Sequence, residues 1–328
     1  MNLSRQYLPA EQSFLDPVRV DADDPGAARA IVIPFGLEAT VSYGVGTAKG
    51  PAAILKASQQ LELYDEELGC EPYRAWGVAA LREPVIGAGI EAALAQLTHL
   101  VEGVIEEDKF PLVLGGEHSL TPAAIRPILT RYPDLVVLQL DAHADLRDRY
   151  LGERYSHAAA MRRVLELPRD LPRDLPREWP REWPRELPRE LPRDLPATLL
   201  VSVGIRSISS EEVEFYAANR DRIQIYWAKD QRRWDMAEIL APLEGRPVYI
   251  TFDVDALDSA IMPATGTPTP GGLGYWQALG LLRCACAAAG RVVGADLVEF
   301  APIAGLHACD YTAAALAYKL LAYALSGR

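Results

Sequence analysis

Apolar runs that alternate with helix-patterned segments constrain the fold of this 328-residue chain more than any other feature. The runs are ARAIVIPF (28–35), WGVAAL (76–81), PLVLG (111–115), LVVLQL (135–140), TLLVSVG (198–204), IQIYW (223–227), PVYITF (247–252) and RVVGADLVEF (291–300). Helical patterns cover 51–68, 91–107, 120–132, 156–166, 275–289 and 310–325. Runs that are apolar throughout, rather than at alternate positions, predict strands covered on both faces. Strand–helix alternation then predicts a parallel α/β sheet with right-handed crossovers. Ligands bind such sheets beyond the carboxyl ends of the strands. At 49% hydrophobic content the chain can bury a large core. No composition shift divides it, so residues 1–328 read as a single domain with one interruption.

The interruption spans 167–196, a four-residue Leu/Trp-Pro-Arg-Asp/Glu unit repeated seven times and closed by Leu-Pro. Proline at every fourth position removes amide donors and excludes a helix. A polyproline II helix has three residues per turn, so a four-residue period rotates the prolines around its axis and builds no single face. Arginines and acids balance within it. The segment reads as a neutral tandem expansion that leaves the sheet on the side away from the ligand clusters; Trp179 and Trp183 motivate a docking role as the alternative.

Three strand-like runs end in potential metal ligands: His118 in GGEHS, Asp141, His143 and Asp145 in DAHAD, and Asp253 and Asp255 in DVD. In an extended segment, positions i, i+2 and i+4 project to one side, so each cluster can converge from one stretch of backbone. The two glycines before His118 permit a sharp turn and close backbone approach. Four carboxylates gathered at adjacent strand ends repel one another without a cation. They fit two divalent ions sharing bridging carboxylates, a two-metal hydrolase. Carboxylates and imidazoles without thiolate favour Mn²⁺ over structural zinc. Four carboxylates and two divalent cations sum to zero, and a bridging hydroxide leaves −1, a charge suited to a cationic electrophile such as a guanidinium.

The net charge of −12, from 33 basic and 45 acidic residues, argues against nucleic-acid binding, which needs a basic footprint. Cys70, Cys284, Cys286 and Cys309 have neither zinc-ribbon nor redox spacing and read as free thiols in a reducing compartment. No secretory leader or run of 18 apolar residues is evident, so no membrane partner is expected and the expected location is cytoplasmic.

GGEHS (115–119), DAHADLRD (141–148), RYSHAAAMRR (154–163), FDVDALD (252–258), ATGTPTPGGL (264–273) and DLVEFAP (296–302) together resemble the signature blocks of the ureohydrolase family, the arginases, agmatinases and related amidinohydrolases. The resemblance covers nearly the whole chain outside the repeat. It implies a three-layer αβα sandwich around an eight-stranded, mostly parallel sheet, assembled as a homo-oligomer, a trimer or hexamer. It also implies two Mn²⁺ per subunit. One would take His118, Asp141, Asp145 and Asp253; the other would take Asp141, His143, Asp253 and Asp255. A bridging hydroxide then attacks the guanidino carbon of a small cationic substrate, and urea leaves with an amine. By the same match His157 shuttles protons, Glu299 holds the guanidinium, and Asp145 counts as both ligand and catalytic residue.

Arginases commonly carry Asn two residues beyond the last DxHxD aspartate; this chain has Arg147 there and is closer to agmatinase-like members. Agmatine, cleaved to putrescine and urea, is the expected substrate. Arginine, aminopropylagmatine and a guanidino acid such as guanidinobutyrate are the alternatives. Arg147 pairs with Asp148 or Glu153 and points away, or it binds a substrate carboxylate. Outside the class stand a non-catalytic relative and a single-zinc deacylase.

Overall fold

The computed structural model describes residues 6–20, 24–167 and 198–326. After Leu167, the tetrapeptide array lies outside them. Among the described residues one sheet holds eight strands: β1 (Ala30–Phe35), β2 (Val78–Ala80), β3 (Phe110–Gly115), β4 (Val136–Leu140), β5 (Leu199–Ile205), β6 (Ile223–Trp227), β7 (Pro247–Asp253) and β8 (Arg291–Val298). Every pairing is parallel, in the order β2-β1-β3-β8-β7-β4-β5-β6. All eight strands therefore fall on the eight apolar runs, with β3, β5 and β7 each reaching one residue beyond its run.

The helices are α1 (Gly50–Ser58), α2 (Tyr73–Trp76), α3 (Ile90–Glu106), α4 (Thr121–Arg131), α5 (Ala160–Glu166), α6 (Ser210–Ala218), α7 (Met236–Leu240), α8 (Tyr275–Ala288) and α9 (His307–Leu325). Alternate strand residues feed two separate cores. Ala30 and Val32 join the side chains of α1, α2, α7, α8 and α9 on one face. Ile31 and Ile33 join those of α3, α4 and α5, with Phe215 and Tyr216 of α6 packed alongside, on the other. This is the expected αβα sandwich.

Local departures have local causes. The helix predicted over 51–68 stops at Ser58. Its tail forms a turn because Asp65 Oδ1 accepts from the Glu67 and Leu68 amides and the Asp65 amide donates to the Cys70 carbonyl. Strand β8 ends two residues before its predicted limit, where Glu299 adopts φ 63°. Helix α6 escaped the periodicity reading because it buries so little. Its signal was a capping box, in which Ser209 Oγ accepts from the Glu212 amide and Glu212 Oε2 accepts from the Ser209 amide.

The connectivity fixes where a site can form. From β3 the sheet continues to β1; from β4 it continues to β5; β8 and β7 fill the gap between β3 and β4. Such a switch point opens a crevice at the carboxyl ends. Pairing aligns Leu114, Leu297, Phe252 and Leu140 in one row across β3, β8, β7 and β4. The four segments that follow this row carry His118, Glu299, Asp253 with Asp255, and Asp141 with His143 and Asp145. At the opposite edge, Arg222, just before β6, donates to the Leu165 carbonyl at 2.7 Å, so Leu167, which opens the array, and Thr198, just beyond it, sit away from the crevice.

Candidate active site

Beyond β3 the chain has no room for a side chain at Gly116: a Cβ there would lie 2.0 Å from the Leu37 carbonyl oxygen. That contact seats the turn His118–Leu120 over the crevice. After β4 the DAHAD segment does not stay extended as expected. Asp145 has φ 53°, so the segment curls, and Asp141 and Asp145 both reach His118 while His143 reaches Asp255. After β7 the turn Val254–Ala256 is capped by Asp253, whose Oδ1 accepts from the Asp255 amide at 2.8 Å.

All six residues with metal-ligand chemistry come together. His118 Nδ1 lies 3.1 Å from Asp141 Oδ2, 3.0 Å from Asp145 Oδ2 and 3.5 Å from Asp253 Oδ2. His143 Nδ1 lies 3.0 Å from Asp255 Oδ2 and 3.7 Å from Asp141 Oδ1. His118, Asp141 and Asp145 form one group with ligand atoms within 4.8 Å of one another; Asp141, His143 and Asp255 form a second. Asp141 belongs to both. Asp253 belongs to neither; its Oδ2 faces His118 and its Oδ1 accepts from the Asp255 amide.

Bonds behind the cluster fix its orientation. His118 Nε2 lies 2.8 Å from Thr251 Oγ1, and that hydroxyl donates to Asp296 Oδ1 at 2.6 Å. With the threonine proton committed to the aspartate, Nε2 must carry a hydrogen, so Nδ1 is the nitrogen turned to the carboxylates, where it holds a proton or, through its lone pair, a cation. Tyr249 and Thr121 also donate to Asp296 Oδ2, each at 2.9 Å. Asp141 accepts from Gln139 Nε2 at 2.8 Å and from the His143 amide at 2.6 Å. Asp255 Oδ1 accepts from the Ala142 amide at 3.0 Å.

The electrostatics suit a cation. Burial and then the charge of Asp141 raise Asp145 to about 7. Burial, Asp255 and Asp141 hold Asp253 well above the carboxylate range. Burial opposes charge on His143, but Asp255 and Asp141 push it up to about 12. Burial likewise opposes charge on His118, and Asp141, Asp145 and Asp253 outweigh it. Protons thus supply the positive charge the cluster needs. His118 Nδ1 is buried with no hydrogen-bond partner of good geometry while three carboxylates converge on it. One nitrogen cannot satisfy three acceptors; an oxygen- and imidazole-binding divalent ion fits that donor set.

A cavity of about 220 Å³ opens over the cluster, lined among others by His143, Asp145, Asp253, Asp255, His157 and Glu299. Glu299 is buried, and its Oε1 accepts from the His118 amide at 2.6 Å. Burial and the Glu117 charge outweigh that bond and raise it to about 8. His157 opens the turn before α5, capped by Ser156, and its Nδ1 lies 3.1 Å from Thr40 Oγ1. Burial, then the charges of His118 and His143, lower it to about 4.

Arg147 departs from the expected pairing with Asp148 or Glu153. It lines the cavity with its guanidinium 5.0 Å from the Tyr150 ring centroid and Nε 3.9 Å from Glu212 Oε2. Asp148 turns instead to Arg163, at 3.1 Å. His99 and His307 are exposed and pair locally with Glu102 and Asp310. None of the four cysteines is in a disulfide.

Sequence reasoning gave no role to Thr40, Glu117, Tyr150, Thr251 or Asp296. Glu117 and Asp296 stand inside the GGEHS and DLVEFAP blocks, which was signal enough to ask what they hold. Thr40 carried none. No helix among the described residues is long and apolar enough to cross a membrane.

The chain is 35% identical to the N(1)-aminopropylagmatine ureohydrolase of Synechocystis sp., over 98% of this chain and 97% of that one. It is 32% identical to an agmatinase of Bacillus cereus over 84% of each. The crystal structure of the agmatine ureohydrolase of Thermoplasma volcanium superposes with a TM-score of 0.73 at 28% identity, covering 90% of both chains. Residues 28–325 match the sequence model of the arginase family. A match of that extent, over a fold and a buried His/Asp cluster of this kind, makes the chain an agmatinase-like member of the arginase family, a hydrolase acting on guanidino groups.

Proposed function

We propose that the protein hydrolyses the terminal guanidino group of agmatine or aminopropylagmatine, releasing urea and the corresponding amine. One observation carries the reading: Asp141 belongs to both ligand groups, which suits two ions held side by side. One ion would be held by His118, Asp141, Asp145 and Asp253, the other by Asp141, His143, Asp253 and Asp255, with Mn²⁺ favoured by the ligand chemistry. When bound, such a pair lowers the pKa of water and supplies a nucleophile at neutral pH.

The chain's own groups supply the rest. Glu299, with Oε1 occupied by the His118 amide, has Oε2 left to accept from a guanidinium. His157 lines the same cavity; its ring can pass the proton that the departing nitrogen needs to leave as a neutral amine. Water adds to the guanidino carbon, the bond to the alkyl nitrogen breaks, and the products are urea and an alkylammonium. Glu212 and the Tyr150 ring compensate Arg147, so it presents no isolated charge against a polycationic substrate.

Agmatine is the first choice from the residues. Aminopropylagmatine is favoured by the relative that matches nearly the full length of both chains. The expected assembly is a trimer or hexamer, readable by light scattering. Urea release from agmatine, aminopropylagmatine, arginine and guanidinobutyrate, with and without added Mn²⁺, tests the activity. Turnover of the first or second is expected. Urea from guanidinobutyrate alone would reassign Arg147 to a substrate carboxylate, and urea from none of the four would overturn the proposal.

A further inference from the structure

We propose that Glu117 and Thr40 are positioning residues that fix the tautomer of His157, holding the hydrogen on Nδ1 and leaving Nε2 as the bare nitrogen. The inference rests on the role given to His157 above and goes beyond it, because it says what prepares the ring for that role.

The argument is one of hydrogen counting. Glu117 is fully buried and receives four donors: the Ala39 amide at 2.8 Å and the Thr40 amide at 2.6 Å on Oε2, and Thr40 Oγ1 at 2.8 Å and Ser119 Oγ at 2.5 Å on Oε1. A carboxylate that accepts on all four sides is acceptor only, so the single Thr40 hydroxyl proton is committed to it. Thr40 Oγ1 is left with two lone pairs, and two groups approach them: the His157 amide at 3.0 Å and His157 Nδ1 at 3.1 Å. The amide must donate. Nδ1 must then donate as well, since a lone pair there would face another across 3.1 Å.

The competing partner is Ser156 Oγ, 3.4 Å from Nδ1, whose rotatable proton would impose the opposite tautomer. It is farther away, and its proton is free to rotate, so the hydroxyl can turn to accept from Nδ1 as it does from the Ala158 amide at 3.4 Å. Glu117 also ties this device to the cluster, since it directly precedes His118 in the chain. Thr40 lies 117 residues from His157, so the relay joins two distant segments across the mouth of the cavity.

The test is a nitrogen-15 correlation spectrum of the full-length chain labelled at histidine, recorded metal-free and Mg²⁺-loaded near neutral pH. His157 is assigned by its loss in His157→Gln. The expected wild-type spectrum shows a protonated Nδ1 and an unprotonated Nε2. Thr40→Val should move the ring toward the other tautomer and lower kcat about tenfold or more with KM little changed; Thr40→Ser should restore the wild-type pattern. A wild-type ring protonated at Nε2, or a Thr40→Val ring unchanged from wild type, would overturn the proposal. If Thr40→Val does not fold, the wild-type spectrum still decides. A protein with the expected tautomer that releases no urea would refute the hydrolytic role and leave the positioning intact.

Discussion

Asp141 is the residue on which both ligand groups depend, so it is the sharpest place to perturb the site. Asp141→Asn should keep its fold, read by circular dichroism, bind fewer ions per chain, and lose about 10²-fold or more of kcat, because loss of an outer partner alone typically costs 10–100-fold. Unchanged ion content would contradict the assignment. His157 gives a pH test. Its folded pKa is lowered to about 4, by burial first, against 6.5 for a free imidazole. Between those values the unfolded chain binds a proton that the folded chain does not. Stability from the neutral ring is therefore present above about pH 6.5 and lost as pH falls toward 4. Wild type should lose more of its denaturant midpoint than His157→Gln between about pH 7 and pH 5; equal losses would show that the ring titrates normally. The ligands were legible in the sequence because each cluster is local, within five residues of one segment. Their supports were not. Thr251 reaches His118 across 133 positions and Thr40 reaches His157 across 117, and no local pattern records such pairs.

At the scale of elements, the strand exits and the tight turns after them do the positioning. The Gly116 contact with Leu37 sets how closely the His118 turn follows β3. Gly116→Ala should destabilise the fold by roughly 1–3 kcal/mol through backbone displacement, seen as a lower urea midpoint. It should also weaken ion binding, because the displaced turn carries His118. A variant with wild-type stability would show that β1 and β3 can part without cost. The strands were legible because burial on both faces makes them apolar throughout, a signal that needs no knowledge of neighbours. The helix tail at 59–68 misled because its apolar spacing survives in a turn held by Asp65 and by the Tyr318 hydroxyl, which donates to the Leu63 carbonyl. That second bond spans 255 positions. Curling of DAHAD at Asp145 was equally hidden, since positive φ at an aspartate leaves no mark in spacing.

The whole molecule separates support from chemistry. Ligands gather at the carboxyl ends of β3, β4 and β7, with Glu299 at the end of β8 among them, while Leu167, which opens the tetrapeptide array, and Thr198, just beyond it, sit at the opposite edge. A variant with 167–196 replaced by a short Gly/Ser linker is therefore expected to keep kcat within about twofold, changes away from a site being close to neutral. A large loss of turnover in a folded variant would give the array a function. The switch point was legible in outline from the strand–helix alternation. The order of the strands was not, because nothing local shows that β7 and β8 return to fill the gap between β3 and β4. The most direct test of the central claim is electron paramagnetic resonance of the Mn²⁺-loaded protein with the metal counted per chain. Two ions that share Asp141 should give two manganese per chain and a magnetically coupled signal; one ion per chain, or two uncoupled ones, would contradict a shared binuclear site.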